Sequence, residues 1–283
     1  MLTTQTRRVA VLGSPIGHSL SPTLHRAAYR ALGLSTWVYE AHEVQESALP
    51  GFVARLGDEW AGLSLTRPLK EAAFRVAAEV SDLARDVGAV NTLVRRGDSG
   101  WSGHNTDVYG VSQALREAGC LHMPSALVLG SGATARSVVA ALAVMGCRKV
   151  TFGVRAGARP ETLAQARRAG LEVDVVGLGE VAARAGDAPL VVSTLPAGAF
   201  DADTPTGLLL PGGSRREDRV VLDVVYAGWP TPLARAFEEA GAHVISGFEM
   251  LVHQAAEQVR LMTGLPPPVE QMRSAGRAAL GST

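Results

Sequence analysis

Apolar and β-branched residues fall in short runs, separated by longer stretches in which apolar positions return every three or four residues. The runs at 7–12, 37–42, 62–65 and 90–94 predict strands, and the stretches opening near Ser21, Pro68 and Thr106 predict helices between or after them. After Pro124 a second series predicts strands at 126–129, 149–154, 172–176, 190–193 and 220–225, with helices opening near Ala133, Glu161 and Gly179. Helices over 232–240 and 249–262, the run Pro266-Pro267-Pro268 and a final short helix complete the pattern. Strands alternating with helices define an α/β protein, and the second series has the regular spacing of a doubly wound sheet. The 283 residues leave room for two cores. The predicted division is a first domain over 1–107, completed by 247–283, and a second over 108–246, with the helix from Thr106 joining them.

Composition narrows the partners. Lys plus Arg and Asp plus Glu each number 27, so no charge excess draws the chain to nucleic acid or to an anionic membrane, and a small molecule is the expected partner. The most apolar helical stretch, 137–147, is closed off by Arg136 and Arg148 and is well short of the roughly 20 residues that a membrane span requires. Arg7 and Arg8 precede only a short apolar run, so no secretory signal is expected. The two cysteines, Cys120 and Cys147, are too few for a disulfide framework or a paired-cysteine metal site. No metal is expected, and a reducing cytoplasm is.

The strongest chemical signal lies at the head of the second series. Ala126-Leu127-Val128-Leu129 runs into Gly130-Ser131-Gly132-Ala133-Thr134-Ala135, the G-x-G-x-x-A form of the dinucleotide fingerprint in its strand–turn–helix setting. Gly130 permits the tight turn, and Gly132 lets a pyrophosphate approach the backbone and the positive end of the helix that follows. NAD sites place an acid at the end of the next strand to hold the ribose hydroxyls. Here that strand ends Gly153-Val154-Arg155, with Arg159 one turn beyond and no acid between Ser137 and Pro160. Guanidinium groups in place of a carboxylate suit a 2′-phosphate, so NADP is the expected cofactor and the second domain is read as a Rossmann NADP-binding domain.

The first domain carries polar groups at element boundaries. Ser21 with Pro22 reads as the N-cap and first turn of a helix, and Ser19 and Ser21 beside its positive end suit a carboxylate as well as a plain capping turn. Lys70 is predicted in the first turn of a helix after the strand 62–65, where the helix dipole disfavours a cation. Two Asn-Thr pairs, Asn91-Thr92 and Asn105-Thr106, offer amides and hydroxyls to a polyhydroxylated ligand. Asp107 follows the second pair as an early-helix acid, with Thr106 as a possible cap.

Taken in order, these motifs resemble the shikimate dehydrogenase family along nearly the whole chain. They are Ser19-Leu20-Ser21-Pro22-x-x-His25, Thr66-x-Pro68-x-Lys70, Gly88-Ala89-Val90-Asn91-Thr92, Asn105-Thr106-Asp107, the glycine loop, Asp223-x-x-Tyr226 with Thr231-Pro232-Leu233, and Gly247-x-x-Met250-Leu251-x-x-Gln254. The resemblance implies NADP-dependent reduction of 3-dehydroshikimate to shikimate on the route to chorismate and the aromatic amino acids. It implies Lys70 and Asp107 as the catalytic pair, and a substrate site of Ser19, Ser21 and Tyr226 around the carboxylate, with Thr66, Asn91, Asp107 and Gln254 on the hydroxyls. It also implies a cofactor site of Gly130, Ser131, Gly132, Ala133, Thr134, Arg155, Arg159 and Gly247, the last reading equally as a turn glycine. Ser64 stands where the family usually has Asn, Arg26 where it usually has Asn, and Val154-Arg155-Ala156 where it has Asn-Arg-Thr. Ser64 is counted with the substrate site as a shorter hydroxyl contact. A quinate or shikimate paralogue using NAD, and a non-catalytic NADP-binding regulator, are the alternatives. The chain is expected to act as a monomer or homodimer.

Overall fold

The computed structural model describes residues 5–97, 100–181, 188–199 and 219–281. They form two compact units, Met1–Gly110 with Val252–Thr283, and Val111–Leu251.

In the first unit, strands β1 (Arg7–Gly13), β2 (Trp37–Glu43) and β3 (Trp60–Leu65) run parallel, connected through helices α1 (Ser21–Ala31) and α2 (Leu49–Val53). Helix α3 (Leu69–Ala72), strand β4 (Glu79–Val80) and helix α4 (Asp82–Val87) follow, and then β5 (Thr92–Arg95) and β6 (Trp101–His104). The sheet order is β2-β1-β3-β5-β6-β4, with β5 antiparallel to both neighbours. That one reversal places the start of β5 at the same sheet edge as the ends of β1, β3 and β6, as the pairs Ser64 with Thr92 and Thr92 with His104 record.

Residues 9–13 of β1 are all buried, as expected of a central strand covered on both faces. Ala10, Leu12, Leu63, Leu65, Leu93 and Trp101 join in its core. Strand β2 is the sheet edge, and Tyr39 is its single fully inward residue. Arg26 of α1 donates from Nε and Nη2 to the Tyr39 carbonyl at 3.1 and 2.8 Å, which occupies a main-chain acceptor of that edge strand.

The second unit is read from β7 (Ser125–Leu129), α6 (Ala133–Val144), β8 (Lys149–Val154), α7 (Pro160–Arg168), β9 (Glu172–Gly177), β10 (Leu190–Ser193), β11 (Val220–Asp223), α8 (Pro232–Glu239) and β12 (His243–Ser246). All pairings are parallel, and the order β12-β11-β10-β7-β8-β9 is the doubly wound arrangement in which β7 and β10 flank the point where strand order reverses. Leu127, Leu129, Val191, Val221 and Phe237 belong to its core. The chain passes from the first unit to the second within helix α5 (Asp107–Glu117) and back within α9 (Gly247–Thr263), after which α10 (Val269–Gly281) packs on α1.

Several elements differ from the pattern-based expectation. Strands β4, β6 and β12 were not predicted: β4 has two residues, and β6 and β12 hold at most two apolar residues in four, without the run of three that marks β10 and β11. The helix after Pro68 is only one turn, and the final helix runs 13 residues. Ser21 is the first residue of α1 rather than its N-cap: Leu20 holds that position without a side-chain bond, and Ser19 Oγ accepts from the Ser21 N–H at 3.3 Å. Asn105, not Thr106, caps α5, its Oδ1 accepting from the Val108 N–H at 3.2 Å. The helix expected near Gly179 opens as a 3-10 turn, Leu178–Glu180, and its continuation past Val181 lies outside the described residues.

His25 locks α1 against β2. Its ring stacks on Tyr39 at 4.1 Å and 22°, and Nδ1 lies 2.9 Å from the Ser21 carbonyl, which can only accept. The proton therefore sits on Nδ1, and buried Nε2 has no hydrogen-bond partner among the described residues. Burial lowers the His25 pKa from 6.5 to about 4, the bond to Ser21 opposing in part. The unfolded chain thus binds a proton that the folded chain refuses, so the contribution to stability is complete above pH 6.5 and is lost as pH falls through about 4. A difference of this size between the folded and unfolded states amounts to at most about 3 kcal/mol. Urea unfolding at pH 7 and pH 4 should show His25→Phe, which keeps a stacking ring, losing about 2–3 kcal/mol less than the wild type on acidification; equal losses would show that His25 does not control acid sensitivity.

Candidate active site

The edge of the first unit where β1, β3 and β6 end and β5 begins gathers the polar residues singled out in its sequence. Lys70, in the one-turn helix after β3, places Nζ 2.6 Å from Asp107 Oδ2. Asp107, at the head of α5, is buried, and the lysine side chain is 15% exposed, so the pair is shielded on the carboxylate side and open on the ammonium side. Asn91, just before β5, donates from Nδ2 to Asp107 Oδ1 at 2.8 Å and to Thr106 Oγ1 at 3.0 Å, and approaches Gln254 Oε1 at 3.5 Å. Its Oδ1 accepts from the Thr106 N–H and from Thr92 Oγ1, both at 2.8 Å. The two Asn-Thr pairs therefore bind each other as well as facing the edge.

Thr66 lies half-buried at the end of β3, its methyl against Gly13 of β1, and its N–H bonds the Leu12 carbonyl. Ser19 is half-buried and Ser21 buried at the start of α1 on the same edge. Ser64 is placed differently from an open contact. It is 3% exposed, accepts from the Tyr39 hydroxyl at 2.7 Å and donates to Gln258 Oε1 at 2.8 Å. Its only hydrogen points into the protein, which leaves an acceptor position alone for a ligand or water. Tyr39 and Gln258 were not singled out in the sequence. Gln258 had a signal: Gln254, Gln258 and Met262 recur every four residues, one stripe of α9 that passes from Asn91 over Thr92 and Ser64 to Gly62.

The second unit holds Tyr226 and Gly247. Tyr226 follows β11 and is half-buried. Asp223 ends that strand, its carboxyl accepting from Thr231 Oγ1 at 2.7 Å and from the Val225 N–H at 3.2 Å, while Thr231 Oγ1 caps α8 by accepting from Ala234 at 3.0 Å. Burial raises the Asp223 pKa, with those hydrogen bonds opposing. The aspartate and threonine thus form a strand-to-helix latch that fixes the loop carrying Tyr226. At Gly247 an added Cβ would stand 2.1 Å from the Val224 carbonyl oxygen, so close backbone approach accounts for this glycine.

The glycine loop fits a dinucleotide. Gly130 has φ 95°, and a Cβ there would meet Thr194 Oγ1 at 2.8 Å, so the turn itself requires glycine. Gly132 has no such need: its φ is −81°, and an added Cβ would meet nothing within 4 Å among the described residues. No side chain caps α6 at Ala133 and Thr134, and no acid lies in its first turn, which leaves the positive helix end facing the same space. Ser131 is tied to α7, its Oγ accepting from the Arg159 N–H at 3.1 Å and its carbonyl from Thr162 Oγ1 at 2.7 Å. Arg155 is exposed at the end of β8, with Nη2 on the Ala199 carbonyl at 3.0 Å. Arg159 is exposed as well, with Glu161 at 3.9 Å, an acid just past the stretch in which none was found. Such an exposed contact is weak.

Comparison with known proteins agrees with this architecture. The family model described as the shikimate dehydrogenase substrate binding domain matches residues 11–93, and that of the shikimate 5'-dehydrogenase C-terminal domain matches 247–275. The chain is 35% identical to the shikimate dehydrogenase (NADP(+)) of Synechococcus sp. strain JA-2-3B'a(2-13), over 97% of its own length and 96% of the relative's. Among solved structures, Mycobacterium tuberculosis shikimate dehydrogenase superposes with a TM-score of 0.84 at 43% identity, covering 96% of this chain and 99% of that one. The Thermus thermophilus shikimate 5-dehydrogenase in complex with NADP(H) and shikimate superposes at 0.83 with 36% identity, covering 97% and 100%. A doubly wound nucleotide-type unit joined to a mixed-sheet unit with a part-buried lysine–aspartate pair is a dehydrogenase architecture. The chain belongs to the shikimate dehydrogenase family.

The two glycines separate fold from ligand. Gly247→Ala should cost stability by about 1–3 kcal/mol or more through backbone overpacking. Gly132→Ala should unfold at the wild-type temperature yet bind NADP roughly tenfold or more weakly, a loss of about 1.4 kcal/mol or more. Calorimetric titration with NADP beside thermal unfolding reads both; an unchanged affinity in Gly132→Ala would remove this loop from the cofactor site.

Proposed function

We propose that the chain catalyses the reversible, NADP-dependent reduction of 3-dehydroshikimate to shikimate, serving chorismate and aromatic amino acid synthesis in the cytoplasm as a monomer or homodimer. The observation that carries the reading is the Lys70–Asp107 contact at 2.6 Å, with Asn91 on the other carboxylate oxygen at 2.8 Å. The family membership and the relatives' names support it. In this reading residues 1–107, completed by 247–283, form the substrate and catalytic domain, and 108–246 the NADP-binding domain.

Bound NADPH supplies the hydride. Asp107 takes one of the three N–H groups of Lys70, and the remaining two are turned to the substrate. Lys70 then polarises the C3 carbonyl oxygen and supplies or relays the proton that this oxygen acquires. Asp107, Asn91, Thr66 and Gln254 accept from and donate to the ring hydroxyls, and Ser19, Ser21 and Tyr226 hold the carboxylate. Ser64 enters as a holder of its neighbours, with an acceptor position only for substrate. Gly130 to Thr134 receive the pyrophosphate, and Arg155 and Arg159 the 2′-phosphate.

The test is the initial rate of shikimate oxidation with NADP and NAD in parallel and quinate as alternate substrate. Strong preference for shikimate with NADP is expected; turnover chiefly with quinate or NAD assigns the paralogue, and none with any pair a binding protein. Lys70→Ala should lower kcat by about 100-fold or more while changing KM for shikimate far less, as loss of general acid catalysis requires.

A further inference from the structure

Behind Asn91 a buried hydrogen-bonded chain runs from β2 to the active pair, and its direction is fixed. The Tyr39 hydroxyl donates to Ser64 Oγ at 2.7 Å, and Ser64 to Gln258 Oε1 at 2.8 Å. Gln258 Nε2 donates to Thr92 Oγ1 at 3.0 Å and to the Asn91 carbonyl at 3.3 Å. Thr92 donates to Asn91 Oδ1, and Asn91 Nδ2 to Asp107 Oδ1, both at 2.8 Å. Hydroxyls turn and amides flip, so such a chain could in principle run either way. Two main-chain groups forbid it. The Asn91 carbonyl can only accept, which requires the NH2 end of Gln258 to face it, leaves Oε1 for Ser64, and makes Ser64 and then Tyr39 donors. The Thr106 N–H can only donate, which requires Oδ1 of Asn91 to face it and turns its NH2 to Asp107.

We infer that Gln258 is a positioning residue for the Lys70–Asp107 pair, acting through Thr92 and Asn91. The inference rests on the reaction proposed above. Gln258 is 1% exposed and lies one helical turn from Gln254, the residue of the same stripe that reaches the Asn91 amide. It is an acceptor at one end and a donor at the other, which lets the hydrogen of Thr92 point at Asn91. Without it, Ser64 keeps a buried donor and Thr92 a buried acceptor that nothing matches. When Thr92 turns to find a partner, Asn91 Oδ1 loses one of its donors and is held by Thr106 alone, so the amide aims less firmly at Asp107 Oδ1, and the carboxylate at Lys70.

The experiment uses the full-length chain with Gln258→Met, which keeps volume and removes the hydrogen bonds, and Gln258→Glu. A buried mismatch of this kind should lower kcat of Gln258→Met about tenfold, independent of pH, with KM for NADP unchanged. In Gln258→Glu an ionised carboxylate accepts at both ends and opposes Thr92 and the Asn91 carbonyl, whereas a protonated one accepts from Ser64 and donates inward as glutamine does. Burial raises the pKa of that carboxyl, so the kcat deficit of Gln258→Glu, relative to wild type at each pH, should shrink as pH falls from about 9 to about 6. A Gln258→Met kcat within twofold of wild type overturns the proposal, as does a Gln258→Glu deficit that stays constant with pH. Should Gln258→Met not fold, the pH profile of Gln258→Glu decides alone. A wild type inert toward shikimate with NADP would fail the reaction and not the network. The network is read without substrate, from the coupling of Gln258→Met with Asn91→Ala in thermal unfolding; additive effects overturn it.

Discussion

A carboxylate removed from water must find donors for both oxygens, and Asp107 finds them in Lys70 and Asn91. Much of the first unit follows from meeting that requirement. Lys70 comes from the turn after β3, Asn91 from the start of β5, and Asp107 from the turn after β6, so the three converge only because β5 runs against its neighbours. A fully parallel sheet would carry Asn91 to the opposite edge. The mixed sheet is thus the means by which one carboxylate is satisfied from two sides.

The second unit meets a different constraint. Its strands are parallel throughout, so every helix that follows a strand starts at the same edge, and the loop at Gly130 opens beside β10, where strand order reverses. The glycines there divide by cause. Gly130 and Gly247 answer to neighbouring protein atoms, whereas no atom of the described residues lies within 4 Å of a Cβ added at Gly132. That distinction carries the cofactor assignment further than the sequence motif does, since a motif cannot tell a packing glycine from one that makes room for a ligand.

Legibility in the sequence followed the range of the interactions. The doubly wound unit was readable because long apolar strands and the glycine loop are local signals, and Lys70, Asn91 and Asp107 were readable because each sits in a motif at an element boundary. Strands β4, β6 and β12 were not, since they carry at most two apolar residues each and so no apolar run. The capping readings of Ser21 and Thr106 each missed by one residue: α1 takes Ser21 in as its first residue, with its N–H on Ser19, and the Asn105 side chain takes the Val108 N–H of α5. Gln258 had only its helical spacing from Gln254 to mark it: its partners are 166 and 194 residues away in sequence, and only the folded sheet brings Thr92 and Ser64 beneath it. Arg26, unexplained as a letter, became intelligible once the carbonyl it covers on an edge strand was visible.

The bond between Ser64 and Gln258 also bears on how this sequence can change over time. Ser64 is small enough to leave Gln258 Oε1 its place, and a bulkier amide at position 64 would compete for that volume with the glutamine. Serine at 64 and glutamine at 258 are thus matched in volume and in hydrogen bonding, so the cost of a substitution at either position depends on the residue at the other, inside the core rather than at the substrate.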